Sequence, residues 1–291
     1  MNALYLFFVA PFVEFGFMQR ALLGSLMLSI GAGPVGVFLT LRRMSLTGDA
    51  MAHAILPGAA AGFLLYGLEL VPMTIGGLLA GMVVALGAGA VSRFTVQKED
   101  ASMAAFYLIA LSVGVVMVSM RGSSIDLMHV LFGTVLALNT DALILIGLVT
   151  ALTLVTMLVF RRALIAECLD PLFLRSVSKL GSPVHFIFLG LVVLNLVAGF
   201  QALGTLLSVG LMVLPATAAR FWTGRVETMC VVAIAIGLLS SIGGLLLSYH
   251  FSLPSGPAII LSAGVIYAGS VLAAPRGVLA TMRPRTSHRT A

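Results

Sequence analysis

Polar and charged residues interrupt an otherwise apolar chain at only a few places. The breaks fall at Arg42-Arg43, Arg93 through Asp100, Arg121 to Asp141, Arg161 to Ser182, Arg220 to Glu227, His250 to Ser255, and a basic tail from Arg276. Between them lie apolar runs of about 18–25 residues, each long enough to cross a bilayer as a helix. The spacing predicts spans over 18–41, 46–66, 69–92, 101–120, 141–160, 183–199, 202–219, 228–249 and 256–274. The runs are continuously apolar rather than alternating, which excludes a transmembrane barrel. Residues 1–16 contain Glu14 and are short for a span, so they read as an interfacial lead-in. Gly199, Gly204, Gly210 and Pro215 interrupt 183–219, and one of its two segments is expected to be re-entrant or broken. The whole of 1–291 reads as one all-α polytopic membrane domain, a bundle of about 8–9 transmembrane helices.

Composition sharpens this picture. The chain is 60% hydrophobic and 9% charged, against roughly 25% charged residues in soluble domains. The net charge of +6 comes from 16 Lys+Arg and 10 Asp+Glu. In a membrane protein such an excess marks cytoplasmic loops, and it is no sign of a nucleic-acid partner. Arg161, Arg162, Arg175 and Lys179 put the 161–182 loop in the cytoplasm. Alternation then brings Arg42-Arg43, Arg93/Lys98, Arg220/Arg225 and the basic tail 275–291 to the same side, with the N-terminus out and the C-terminus in. Of the outward loops only 121–140 carries an arginine. Cys168 and Cys230 are too isolated to suggest a structural disulfide. The N-terminal stretch has neither a basic n-region nor a small-residue cleavage site, so it does not read as a cleaved signal.

An ionisable group inside a span costs on the order of several kcal/mol unless it is paired or hydrated, which makes it a functional candidate. Asp49 and His53 stand out in "SLTGDAMAHAIL" (45–56). Their i,i+4 spacing stacks both side chains on one helical face, about 6 Å apart along the axis. A hard oxygen beside a neutral nitrogen suits Zn²⁺ or Mn²⁺ better than Mg²⁺ or Ca²⁺. The same pair could instead brace or cap a helix start, and two ligands fall short of zinc's usual four. Asp126 and His129, with Asp141, read either as an entrance or gate or as a solvated loop with helix caps. His185 and His250 read as boundary residues, Glu69 as a boundary charge, and Asn195 and Gln201 as path-lining or helix-bridging groups. The chain has no G-x-x-x-x-G-K-[ST] phosphate loop, no H-E-x-x-H and no G-x-S-x-G, so it reads as a subunit without its own ATPase, protease or esterase chemistry.

Four ordered stretches resemble one family. "GPVGVFLTLRRMSLTGDAMAHAILPG" (33–58), "DLMHVLFGTVLAL" (126–138), "LMVLPATAARFWT" (211–223) and "LPSGPAIILSA" (253–263) resemble the metal-type ABC importer permeases, the membrane subunits that take up zinc, manganese or iron. The resemblance implies a homodimer in a bacterial inner membrane. It also implies a pair of cytoplasmic ATPase subunits and an extracytoplasmic metal-binding protein. It gives Asp49 and His53 the role of holding metal in transit. "LDPLFLRSVSKLG" (169–181) resembles the family's coupling loop and keeps Asp170, Pro171 and Gly181, although "RSVSK" departs from the usual Ala-rich middle. The wording "RRMSLTGDAMAHA" is closer to zinc members, so Zn²⁺ is the expected cargo and Mn²⁺ or Fe²⁺ the alternative. No resident cofactor is implied. A proton-coupled metal carrier and a membrane scaffold are the competing function classes.

Overall fold

In the computed structural model, residues 3–67, 69–120, 138–169, 174 and 181–281 are described. Two short helices, α1 (Ala3–Phe8) and α2 (Ala10–Glu14), precede α3 (Gly16–Leu41), α4 (Ser45–Tyr66), α5 (Leu70–Phe94) and α6 (Glu99–Met120). Then come α7 (Thr140–Val159), the short α8 (Arg161–Leu169), α9 (Gly181–Leu203), α10 (Thr205–Trp222), α11 (Val226–Phe251), α12 (Ser255–Ala273) and α13 (Val278–Thr281). Among the described residues 9 helices are long and apolar enough to cross a membrane. They correspond one to one with the nine apolar runs of the sequence. With no water in the hydrocarbon core, each span satisfies its own backbone internally, which is why helices are the outcome.

The centre of the bundle is set by α3 and α9, the two most buried spans. α3 packs against α7, α9, α10 and α11, whereas α4 packs mainly against α5 and α6. α9 touches both groups, through α5 and α4 on one side and α7, α10 and α3 on the other. Apolar surface gains little by leaving lipid for another apolar helix, so contact distance decides which helices associate. Small residues supply that distance. Gly58 on α4 and Gly76 on α5 face each other so closely that a Cβ on either would run into the other's carbonyl oxygen. Pro57 interrupts the donor ladder of α4, and Gly114 of α6 packs against it so closely that an added Cβ would sit 3.2 Å from the Pro57 Cα.

The structure departs from expectation in one region. The 183–219 stretch is neither re-entrant nor broken within a span. α9 runs on to Leu203, α10 starts at Thr205, and the only residue between them is Gly204, at φ 90. That conformation favours glycine because a Cβ would clash with the backbone. Pro215 lies inside α10 without ending it. The chain turns back sharply, and Ser208 Oγ reaches the carbonyl of Leu196 at 3.5 Å. Asp126, His129, Asp170 and Pro171 lie outside the described residues, and Gly181 begins α9.

The glycine contact between α4 and α5 gives the first expectation. Gly58→Val should lower the stability of the purified, detergent-solubilised protein by about 1–3 kcal/mol, the usual cost of overpacking. Thermal unfolding checks this, and an unchanged midpoint would mean that α4 and α5 do not meet at Gly58.

Candidate functional site

The turn that precedes α4 places the Asp49/His53 pair. α3 ends at Leu41, Arg42 caps it, Arg43 adopts a left-handed conformation (φ 59), and Met44 is the N-cap of α4 without a side-chain cap bond. Asp49 is therefore in the second turn of α4 and caps nothing. His53 Nε2 stands 3.9 Å from Asp49 Oδ1, too far for the hydrogen bond that a brace would need. Two metal bonds of about 2.1 Å span at most about 4.2 Å, so one divalent ion can touch both atoms as they stand. The Asp49 side chain is 66% exposed. His53 Nδ1 is buried with no hydrogen-bond partner among the described residues. The ring of Tyr107, on α6, lies 6.4 Å from the His53 ring. Among the described residues no group of three or more His, Cys, Asp or Glu could hold a metal, so none of them completes the pair. A cavity of about 230 Å³ opens beside Asp49, between the starts of α4 and α6, and Thr47, Asp100, Met103 and Tyr107 also line it.

The remaining candidates sort clearly. Asp141 is an exposed residue in the first turn of α7, where Asn139 Oδ1 caps by accepting from the Ala142 amide at 2.8 Å. Asn195 is buried and donates from Nδ2 to Thr153 Oγ1 at 2.8 Å and to the Leu191 carbonyl at 2.9 Å, so it bridges helices. His250 stacks on Phe7 at 4.1 Å and holds the N-terminal helix against the end of α11.

Reading the sequence misses a second polar constellation altogether. At the arginine-rich end of the bundle, Arg93 Nη2 lies 2.9 Å from Glu167 Oε1, and Arg42 Nη2 lies 3.9 Å from the same oxygen. Arg42 also donates to Nδ1 of His185. On its other side the imidazole places Nε2 at 3.1 Å from Glu99 Oε1. The guanidinium groups lie over the rings of Phe188 and Phe186, at 5.1 and 5.5 Å respectively. Five helices contribute: α3, α5, α6, α8 and α9. His185, expected at an interface, is buried. Only Arg93 and Glu99 are near each other in sequence, and each of the five looks like a boundary charge. The available signal was two carboxylates, Glu99 and Glu167, beside loops otherwise rich in Lys and Arg. Next to the cluster, burial pushes the Cys168 thiol up to about 12, with Glu167 reinforcing and Arg42 opposing the shift.

Residues 14–274 match the ABC 3 transport family. The chain belongs to that family. Similar members include "Manganese transport system membrane protein MntC" of Halalkalibacterium halodurans, 31% identical over 94% of this chain and 93% of the relative. "Manganese import system permease protein ScaB" of Streptococcus gordonii is 32% identical over 92% and 95%. Among solved structures, "PsaBC from Streptococcus pneumoniae in complex with Fab" superposes with a TM-score of 0.80 at 30% identity, covering 92% of this chain and 96% of the other. As an ABC 3 member the chain is a multi-pass inner-membrane permease subunit of a metal transporter, not an enzyme.

Two expectations follow for this ABC 3 permease. Glu167→Gln should destabilise it by about 3–5 kcal/mol, because it strips a buried charge from two arginines that remain. The drop would show as a lower unfolding midpoint in detergent, and wild-type stability would mean that the arginines are hydrated. Cys168 should resist maleimide labelling at pH 8 in the folded protein and label after denaturation, since a thiol raised to about 12 stays protonated far above neutral pH.

Proposed function

We propose that this chain is the permease of a manganese importer driven by ATP, receiving Mn²⁺ from an extracytoplasmic binding protein. The observation that carries the metal is that relatives aligned over more than nine-tenths of both chains are named for manganese. The wording around Asp49 had favoured zinc, but one carboxylate and one imidazole admit either ion, so the chemistry does not oppose manganese. Two copies of the chain form the pathway, and a pair of ATPase subunits docks on the arginine-rich, cytoplasmic side. The C-terminus lies inside and the N-terminus outside, and residues 1–16 lie along the interface. The loop with Asp170, Pro171 and Gly181 transmits ATPase movement into the bundle.

Asp49 and His53 hold the ion in transit. A carrier's site has to be weak enough to release, and an incomplete ligand set in each subunit meets that requirement. Water or the second subunit's pair completes the shell. Asn195 Nδ2 serves instead to tie helices together through Thr153 and Leu191. The outward segment with Asp126 and His129, together with Asp141, serves as the entrance.

Manganese uptake by whole cells tests this reading. Asp49→Ala and His53→Ala should each abolish uptake while the permease still co-purifies with its ATPase. Wild-type uptake in both variants would sink the assignment, and uptake that survives loss of the ATPase would identify a proton-coupled carrier instead.

A further inference from the structure

Glu167 serves two arginines through one oxygen. Its side chain is 1% exposed, and Oε1 takes Arg93 at 2.9 Å and stands 3.9 Å from Arg42. Oε2 is buried and has no hydrogen-bond partner among the described residues. A buried carboxylate oxygen left without a donor costs stability, so an arrangement that fills it is favoured on that count.

Arg42 is the group placed to fill it. At 3.9 Å it is beyond hydrogen-bond range of Glu167. It donates instead to His185 Nδ1. A guanidinium can only donate, so that ring nitrogen carries no proton. On the far side of the ring, Nε2 and Glu99 Oε1 face each other at 3.1 Å without hydrogen-bond geometry, so Arg42 is what sets the imidazole. Arg42 also lies over the Phe188 ring, at 5.1 Å, a face that a flat cation can slide along without losing contact. It therefore has a bonded partner on α9 and a second one, with an oxygen unfilled, on α8.

The two partners stand on opposite sides of the transport task. Glu167 is in α8, just ahead of the 169–181 segment. His185 faces Glu99 in the first turn of α6, and the starts of α6 and α4 bound the cavity beside Asp49. Arg42 itself caps α3, and the chain turns through Arg43 directly into α4.

We propose that Arg42 is a positioning residue that changes partner during transport, from His185 Nδ1 in this arrangement to Glu167 Oε2 in a second one. This rests on the coupling role proposed for the 169–181 segment and on the transit role of Asp49 and His53. An approach of α8 toward the end of α3 brings Oε2 within reach and releases the imidazole. The turn before Asp49 and the first turn of α6 are then reset together. The arginine stays beside a carboxylate throughout, so the exchange never strands its charge in apolar surroundings. Arg93 keeps Glu167 in place by holding the other oxygen.

Proteoliposomes holding the complete transporter, with Mn²⁺ uptake and ATP hydrolysis measured together, test the proposal. His185→Leu removes one of the two partners. The assembled variant should still hydrolyse ATP but move at least about fivefold less Mn²⁺ per ATP, the low end of an allosteric coupling. His185→Gln keeps a side-chain acceptor and should hold the wild-type ratio. An unchanged ratio in His185→Leu, whatever the absolute rates, overturns the proposal, and so does an equal fall in His185→Gln. Should His185→Leu fail to assemble, the wild-type transporter bound to a non-hydrolysable ATP analogue decides. Its structure should show Arg42 hydrogen-bonded to Glu167 Oε2, and Arg42 anywhere else rejects the exchange. Asp49→Ala separates the underlying reading. Loss of uptake there beside a normal ratio in His185→Leu rejects the exchange alone, whereas wild-type uptake in Asp49→Ala rejects the transit role.

Discussion

Two guanidinium groups buried at one end of an apolar bundle have to be neutralised where they stand. Arg42 and Arg93 share Glu167, and Arg42 reaches Glu99 through His185. Removing charges from water is expensive, and their mutual attraction offsets that cost only when geometry is good and the remaining polar atoms are engaged. The contacts join the ends of α3, α5, α6, α8 and α9. They also set the place from which α4 departs, because Arg42 is the last residue of the α3 cap and Asp49 follows seven residues later. The Asp49/His53 face of α4 and the first turn of α6 are thus held from behind by this cluster.

Much of the fold could be read from the chain because the bilayer imposes a coarse rule. A helix long enough to cross needs an uninterrupted apolar run, and all the predicted runs became helices. Boundaries were less legible. The α9–α10 junction fell at Gly204 and not some residues earlier, since the turn needs a backbone conformation and polarity is no guide to it. At the candidate site, the Asp49/His53 pair was visible from its spacing, and the structure removes the capping and bracing roles that spacing alone left open. The arginine–glutamate cluster was not visible. Its members lie on different helices, and a charge at a helix end reads as a loop residue until the neighbouring end is known.

The same end of the bundle gathers helices that are far apart along the chain. α8 brings Glu167 to the arginines just before the segment that resembles a coupling loop, and α6 brings Glu99 to His185 just before Asp100.

The single residue between α9 and α10 has a consequence for how the protein is made. A connection of one glycine presents no polar loop to either side of the membrane and carries no charge on which an orientation signal could act. Neither helix can be parked in the bilayer with its end solvated while the other waits. α9 and α10 have to enter as one hairpin, and their direction is inherited from the arginines that flank the pair, Arg175 before it and Arg220 and Arg225 after it.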